Sequence, residues 1–405
     1  MSTTSTTTHD VAHDTRESAT YAIIGAGLAG AAAAWRLAQS GAEVIVLERD
    51  VPASHLGSSH GSARIFRYAY PDPFYVDLVA RARRGWDELE AASGQRLITP
   101  SGSLDSGVVR RPRELAAALE QVGIEHELLT DAEAAARWSQ LRFDSEVLWH
   151  PGAGVIDAES SVLAMLELAR AAGARVRTGW EAASVRAASS GYVVTSASGA
   201  TVHAEQVIVA AGGWLPALLA DLDLPTGFRG ALPDFEVRQE NAFHFPYRDA
   251  ADAVPAPADG GTSWPTFIYK GADIQMYSLP GGRDAGFRGQ KIAEYNGGRV
   301  IGSARDQDGV IDPANRERVT DFVSRFVPGL ELQPYAEATC LFTNVPRDDM
   351  IIDRAEGITI VSPCSGQGAK FAPLLGELVY DLVAGSQHAV DRFRAAGQRF
   401  AGVPG

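Results

Sequence analysis

The sequence predicts an α/β protein, in which a discontinuous Rossmann-type domain is interleaved with a mostly antiparallel β-sheet substrate domain. Three observations point there. Near the start an apolar strand, Tyr21-Ala22-Ile23-Ile24, runs into Gly25-Ala26-Gly27-Leu28-Ala29-Gly30. Between 228 and 300 the pattern changes to short alternating strands with dense Gly and Pro between them. After Cys340 an apolar strand, a glycine turn and a helix return, as a resumed first domain would.

The elements follow in order. Gly25, Gly27 and Gly30 leave the first strand and open an Ala-rich helix from Ala31 to Gln39, and a second strand, Glu43 to Leu47, ends at Glu48. This is the βαβ setting that a dinucleotide fingerprint requires. Gly25 makes the tight turn, Gly27 lets the backbone approach a pyrophosphate, and Gly30 lets the helix pack on the strand. The helix start offers free N–H groups and a positive dipole end to the phosphates. Glu48 stands where a carboxylate accepts ribose hydroxyls and repels a 2′-phosphate, which disfavours NADP. The motif alone leaves NAD and FAD open.

Pro71 to Ser93 reads as a helix, with Phe74, Leu78, Ala82, Trp86 and Leu89 at helical spacing. Thr99 to Leu104 breaks it and starts an extended piece. Two short helices follow, Arg113 to Val122 and Asp131 to Trp138, then Gly154 to Ala158 leading into a helix through about Ala172. Strands are expected at Ala174–Gly179, Gly191–Ser196 and Val202–Ala211, the last ending in Gly212-Gly213-Trp214. Phe235 to Gln239 begins the alternating region, with loops at Pro255 to Pro265 and Leu279 to Arg288. The first domain resumes with a strand at Gly357–Val361, the turn Ser365-Gly366-Gln367-Gly368 and a helix from about Lys370 to Ala384. The domains are therefore expected at 20–104, 152–226 and 341–405 for nucleotide binding, and at 105–151 with 227–340 for substrate.

At 405 residues, two domains are the natural expectation. With 45% hydrophobic and 21% charged residues, a sizeable core can form. A formal charge of −14 argues against a nucleic-acid partner. No apolar run reaches about 18 residues, so no membrane span is expected. The Ser/Thr-rich start lacks the apolar segment of a secretory signal, and residues 1–19 are expected to be a disordered tail. Cys340 and Cys364 are too few for a disulfide framework and suit a reducing, cytoplasmic location. No metal is expected.

Four blocks together resemble the monomeric sarcosine oxidase and N-methyltryptophan oxidase family, within the D-amino-acid-oxidase-like flavoenzymes. They are Gly25 to Glu48, Gly57-Ser58-Ser59-His60-Gly61-Ser62-Ala63-Arg64-Ile65-Phe66-Arg67, Gln290-Lys291-Ile292-Ala293, and Cys340-Leu341-Phe342-Thr343-Asn344 through Lys370-Phe371-Ala372-Pro373. The resemblance covers about Tyr21 to Leu382 and rests on the order and spacing of all four. It implies FAD as cofactor, held by an FAD-binding domain and covalently linked through Cys340. A thiolate is a competent nucleophile for that bond, while an isolated Cys is otherwise a buried, inert thiol.

The resemblance also implies roles. Arg67 and Lys370 would bind the substrate carboxylate, a planar fork and a point charge. The alternatives are a surface ion pair for Arg67 and a solvated helix-start lysine for Lys370. Lys291 would activate oxygen through a fixed positive charge, or else lie on the solvent face of its strand. Arg64 and His60 would stand around the flavin ring, unless they only belong to a Gly/Ser loop. Tyr277 would line the substrate pocket or pack in the core. Gly366 and Gly368 open a turn whose N–H groups suit negative charge on the reduced flavin. The expected reaction takes an amine with a carboxylate and O2 to an imine and hydrogen peroxide, in a chain expected to be monomeric. A fructosyl-amino-acid oxidase or an FAD dehydrogenase on the same scaffold are the alternatives.

The chain departs from the family pattern at Ser59, Tyr295 and Gln367, where histidines often stand, and in a longer loop from Gly281 to Gly289. These departures are expected to gather at the substrate mouth, favouring a substrate larger than sarcosine.

Overall fold

The computed structural model describes residues 17–249, 264–385 and 391–395. The first sixteen residues of the expected tail and most of the Pro255–Pro265 loop lie outside these described residues.

A mixed eight-stranded sheet carries the nucleotide half. Its parallel centre runs Arg175–Arg177, Val44–Leu47, Glu17–Ile24, Thr201–Val209 and Ile358–Ser362. Antiparallel strands at Ala182–Ala187, Tyr192–Ser196 and Ile351–Ala355 complete it. Val44, Ile45, Val46 and Leu47 are all buried, as expected for a strand covered on both faces. Helices Leu28–Gln39, Ala158–Ala171 and Ala372–Val383 share one hydrophobic cluster on this sheet, and the Ala31–Ala34 run lets them approach closely.

The first strand begins at Glu17, inside the expected tail, because Glu17, Ser18 and Ala19 pair in register with Val202, His203 and Ala204; Arg175 and Arg177 also hold the Glu17 carboxylate, at 3.3 and 3.2 Å. The first helix starts at Leu28, three residues earlier than expected, with Gly27 as its N-cap.

A nine-stranded sheet forms the other half, in which the long strand Glu236–Pro246, near one edge, pairs with Gly289–Glu294, Arg299–Ile301 and Ala336–Asn344. Gln275–Pro280, Thr266–Lys270, Ser103–Ser106, Val147–His150 and Glu127–Leu129 extend it. Alternation decides its two faces. Phe243, Phe245, Phe267, Met276 and Ile292 point to one side and pack on helix Pro313–Phe326 through Phe322, Val323 and Phe326. The register puts the other set on the opposite face: Lys291 beside His244, Tyr277 beside Ile268 and Ala293, and Glu240 beside Cys340.

Two expected domain boundaries fall within strands. Cys340 lies inside Ala336–Asn344, and the 104/105 division cuts Ser103–Ser106; both strands belong wholly to the nine-stranded sheet. Helix Pro313–Phe326 is absent from the sequence reading, although Asp312 caps it and Pro313 opens it. A third, small sheet of Arg64–Phe66, Ile98–Pro100 and Gly154–Ile156 brings the Gly57–Arg67 block beside both larger sheets. Helix Pro73–Ser93 braces it from behind: Trp86 donates its indole N–H to the Lys370 carbonyl at 2.8 Å.

Candidate active site

An open cleft runs along the nucleotide sheet between these layers. Gly25, Gly27, Glu48, Arg64, Cys340, Gly366 and Gly368 all line it, so residues scattered over most of the chain meet here. Gly25 turns with a φ of +103°, and a Cβ there would lie 2.5 Å from the Ala210 carbonyl oxygen. A Cβ on Gly30 would lie 1.9 Å from the Gly25 carbonyl oxygen, so only glycine lets the helix sit this close. Glu48 is buried, and its carboxylate accepts the Ala26 and Asp50 N–H groups at 2.7 and 2.9 Å. Burial raises its pKa despite those bonds. Trp214 also lines the cleft, with a buried indole N–H that has no partner.

Ser59 corrects one expectation. It stands at the helix start, not at the substrate mouth: its Oγ accepts the Leu28 N–H at 3.0 Å.

Beyond the Gly366–Gly368 turn lies a group of cations. The Arg67 guanidinium sits 4.9 Å from the Tyr70 ring and donates to the Ala69 carbonyl. The Lys370 ammonium sits 5.5 Å from the same ring and donates to the Gln367 carbonyl at 2.8 Å. Neither is in an ion pair with a carboxylate among the described residues, which removes the surface-pair reading of Arg67. Lys370 is buried, not solvated; burial and then Arg67 hold its pKa well below the usual lysine value. Tyr70 donates to the Gln367 side chain at 2.9 Å, and burial pushes its pKa up to about 12.

Lys291 lies deeper, on the inner face of its strand, 8% exposed, which rules out the solvent-face reading. It donates to the Ala63 carbonyl at 3.3 Å. Burial, then Arg64, lowers its pKa to about 8. Arg64 donates to the carbonyls of Ala63 and Ser58 at 2.9 and 3.0 Å. His60 is held neutral beside them: burial, with Arg64 and Lys291, depresses its pKa to about 3. Cys340 is partly buried within electrostatic reach of Lys291, Arg64 and Tyr277, and burial raises its thiol pKa. Tyr277 packs with Leu279, Ala63 and Val155, and burial lifts its phenol well above the usual range.

Several polar residues of this region escape a motif reading. Asp284 accepts the Ser62 N–H at 3.0 Å, pinning the long 281–289 loop to the Gly57–Arg67 block. Burial would raise its pKa, but the Ser62 bonds and Lys291 bring it to about 2. That loop therefore packs beside Lys291 as well as beside the cleft. His244 is buried opposite Lys291 with an unpartnered Nδ1, and burial lowers its pKa to about 4. Arg110 and Asp105 form a buried pair at 2.5 Å behind Arg67, with His150 next to them. Glu240, cross-strand from Cys340, is raised to about 7 by burial. Strand alternation is a usable signal for His244, which stands between Phe243 and Phe245; Asp284 and Arg110 lie in turns, and Asp105 and Glu240 have polar neighbours. Among the described residues no cluster of His, Cys, Asp and Glu could hold a metal ion.

Comparisons with known proteins agree with this fold. The family model described as FAD dependent oxidoreductase matches residues 20–382. The chain is 31% identical over 378 residues to monomeric sarcosine oxidase of Streptomyces avermitilis, covering 89% of this chain and 92% of that one. It is 29% identical over 370 residues to N-methyl-L-tryptophan oxidase of Yersinia pestis, covering 88% and 92%. Among solved structures, NikD, an unusual amino acid oxidase, superposes with a TM-score of 0.80 at 24% identity, over 94% of this chain and 97% of that one, which is a likeness of fold. A glycine-lined nucleotide cleft in this fold, together with similarity along nearly the whole length, means that the chain belongs to the FAD dependent oxidoreductase family.

Proposed function

We propose that the protein oxidises the C–N bond of an N-alkyl amino acid to the imine and passes the two electrons to O2, giving hydrogen peroxide. Water then hydrolyses the imine to an amine and a carbonyl compound. Bound FAD supplies the two-electron acceptor. The cleft residues fit it: the Gly25–Gly30 turn and helix start suit the pyrophosphate, Glu48 the ribose, and the unpartnered Trp214 N–H offers a further donor.

The observation that carries the reading is the pair Arg67 and Lys370, 4.9 and 5.5 Å from the Tyr70 ring and, among the described residues, in no ion pair with a carboxylate. A substrate carboxylate supplies the missing anion through charge-assisted bonds. The same positive surroundings disfavour an ammonium, so the bound amine is held unprotonated, as C–H oxidation requires. Tyr277 lines the substrate's other side. Lys291 sets a buried positive charge where electrons reach oxygen and stabilises the anion formed there. The relatives named above support an N-methyl amino acid as the substrate type.

The test is anaerobic bleaching of the bound flavin by sarcosine, N-methyl-tryptophan, pipecolate, proline and a fructosyl amino acid, followed by air. Bleaching with fast recovery supports the oxidase, and slow recovery a dehydrogenase. No bleaching by any of them overturns the proposal.

Cys340 is proposed as the covalent attachment point. It lines the cleft, and Lys291 and Arg64 favour its thiolate against the cost of burial. Acid precipitation checks this: yellow protein supports the link, and a yellow supernatant over colourless protein refutes it.

A further inference from the structure

The pocket holds more positive charge than one substrate carboxylate accounts for. Arg110 is matched by Asp105 at 2.5 Å. Arg67 and Lys370 await the carboxylate already described. A third unpaired cation, Lys270, ends strand Thr266–Lys270 on the same face as Ile268 and Tyr277. Its ammonium lies 5.1 Å from the Tyr295 ring, half-buried, with no carboxylate within ion-pair distance among the described residues. Tyr295 donates to Asp348 at 3.4 Å. Asp348 accepts the Gln367 side-chain amide on its carbonyl, and the Gln367 carbonyl takes the Lys370 ammonium. Lys270 and Lys370 thus mark two ends of one continuous strip, Tyr295–Asp348–Gln367.

With Asp105 paired to Arg110, Asp348 is the carboxylate left to this strip among the described residues, and the cationic side chains Arg67, Lys370 and Lys270 outnumber it by two. One is answered by the α-carboxylate. We infer that the other is answered by the substrate itself, so that the preferred N-alkyl amino acid carries a second anionic group on its side chain, bound by Lys270 across the Tyr295 ring. The setting of Lys270 is in keeping with this: burial first, then Arg110 and Arg67, hold its pKa at about 8 against Asp348 and Asp105, and a bound anion would favour the ammonium. Tyr295 replaces a shorter imidazole of the family pattern and provides the ring on which the ammonium rests.

This inference rests on the carboxylate-binding reading of Arg67 and Lys370, and its test separates the two. The probes are N-methyl-glutamate, N-methyl-aspartate and the neutral isostere N-methyl-glutamine, compared by kcat/KM from flavin bleaching and oxygen uptake. The wild-type holoenzyme is expected to prefer N-methyl-glutamate or N-methyl-aspartate over N-methyl-glutamine by about 10- to 100-fold, the range of a charge-assisted bond. Lys270→Met should collapse that ratio towards one, and Lys270→Arg should restore most of it. Calorimetric binding of glutarate against its monoamide reads the same preference without turnover. Turnover of the neutral amino acid with no preference for the dianions sinks this inference alone, as does a ratio unchanged in Lys270→Met. Failure of every carboxylate to bind or bleach sinks the proposed function with it.

Discussion

Lys291 and Lys370 are both buried lysines, but they differ in what surrounds them. Lys370 has Arg67 and a backbone carbonyl, which suits a ligand that brings its own negative charge. Lys291 has Arg64, His60 and His244 around it, with Asp284 as the nearby anion. Lys291→Met should therefore leave flavin reduction by substrate nearly intact and slow reoxidation by O2 about 10²–10³-fold, as for loss of one preorganised charge; stopped-flow mixing with oxygen reads both halves. The pH sign follows from the same group. Its pKa is lowered to about 8, so the ammonium is present below that value and lost above it. Reoxidation should slow as pH rises through about 8 or somewhat higher, since a neighbouring anion raises the pKa again. A flat profile in the wild type would contradict this, and Lys291→Met should be flat. Arg67→Lys should raise KM more than it lowers kcat, because a point charge cannot reproduce the planar fork.

At the scale of elements, the nine-stranded sheet separates chemistry from stability by alternation. Lys291, Tyr277 and Cys340 share one face, while Phe243, Phe267 and Ile292 share the other and rest on helix Pro313–Phe326. Phe322→Ala on that helix should cost about 3–5 kcal/mol in chemical denaturation while leaving the order of substrates unchanged. The first βα turn behaves oppositely. Gly30→Ala would press a Cβ against the Gly25 carbonyl at 1.9 Å, so it should destabilise by about 1–3 kcal/mol and weaken flavin retention, read as the flavin-to-protein absorbance ratio. The glycine turn, its helix and Glu48 were legible because local sequence makes them. The local pattern of strand Glu17–Ile24 starts only at Tyr21, because its first residues pair with Val202 to Ala204, more than 150 residues away. Helix Pro313–Phe326 did leave a signal, Asp312-Pro313 followed by Val319, Phe322, Val323 and Phe326, but it sits in a segment otherwise dominated by strands.

Over the whole molecule, both large sheets and the small one contribute walls to the cleft, so the cofactor binds across the layers and should stabilise their packing. Cys340→Ser holoenzyme should melt higher as free FAD is added, each tenfold adding about 1.4 kcal/mol once the site is saturated; a Tm independent of added FAD would contradict a reversible site. Local sequence was enough to place a dinucleotide beside Gly25–Gly30, because a tight turn, a helix start and a terminal carboxylate are set by neighbouring residues. It also singled out Arg67, Lys291, Cys340 and Lys370, as residue types in blocks of recognisable order. The tertiary contacts add that Cys340 lines the cleft, that Lys291 and Lys370 are buried, and that Ser59 belongs to the helix start. Burial and charge balance depend on partners from distant segments, such as Asp284 on Ser62 and the Tyr70 ring beside both Arg67 and Lys370, and no local pattern records such pairings.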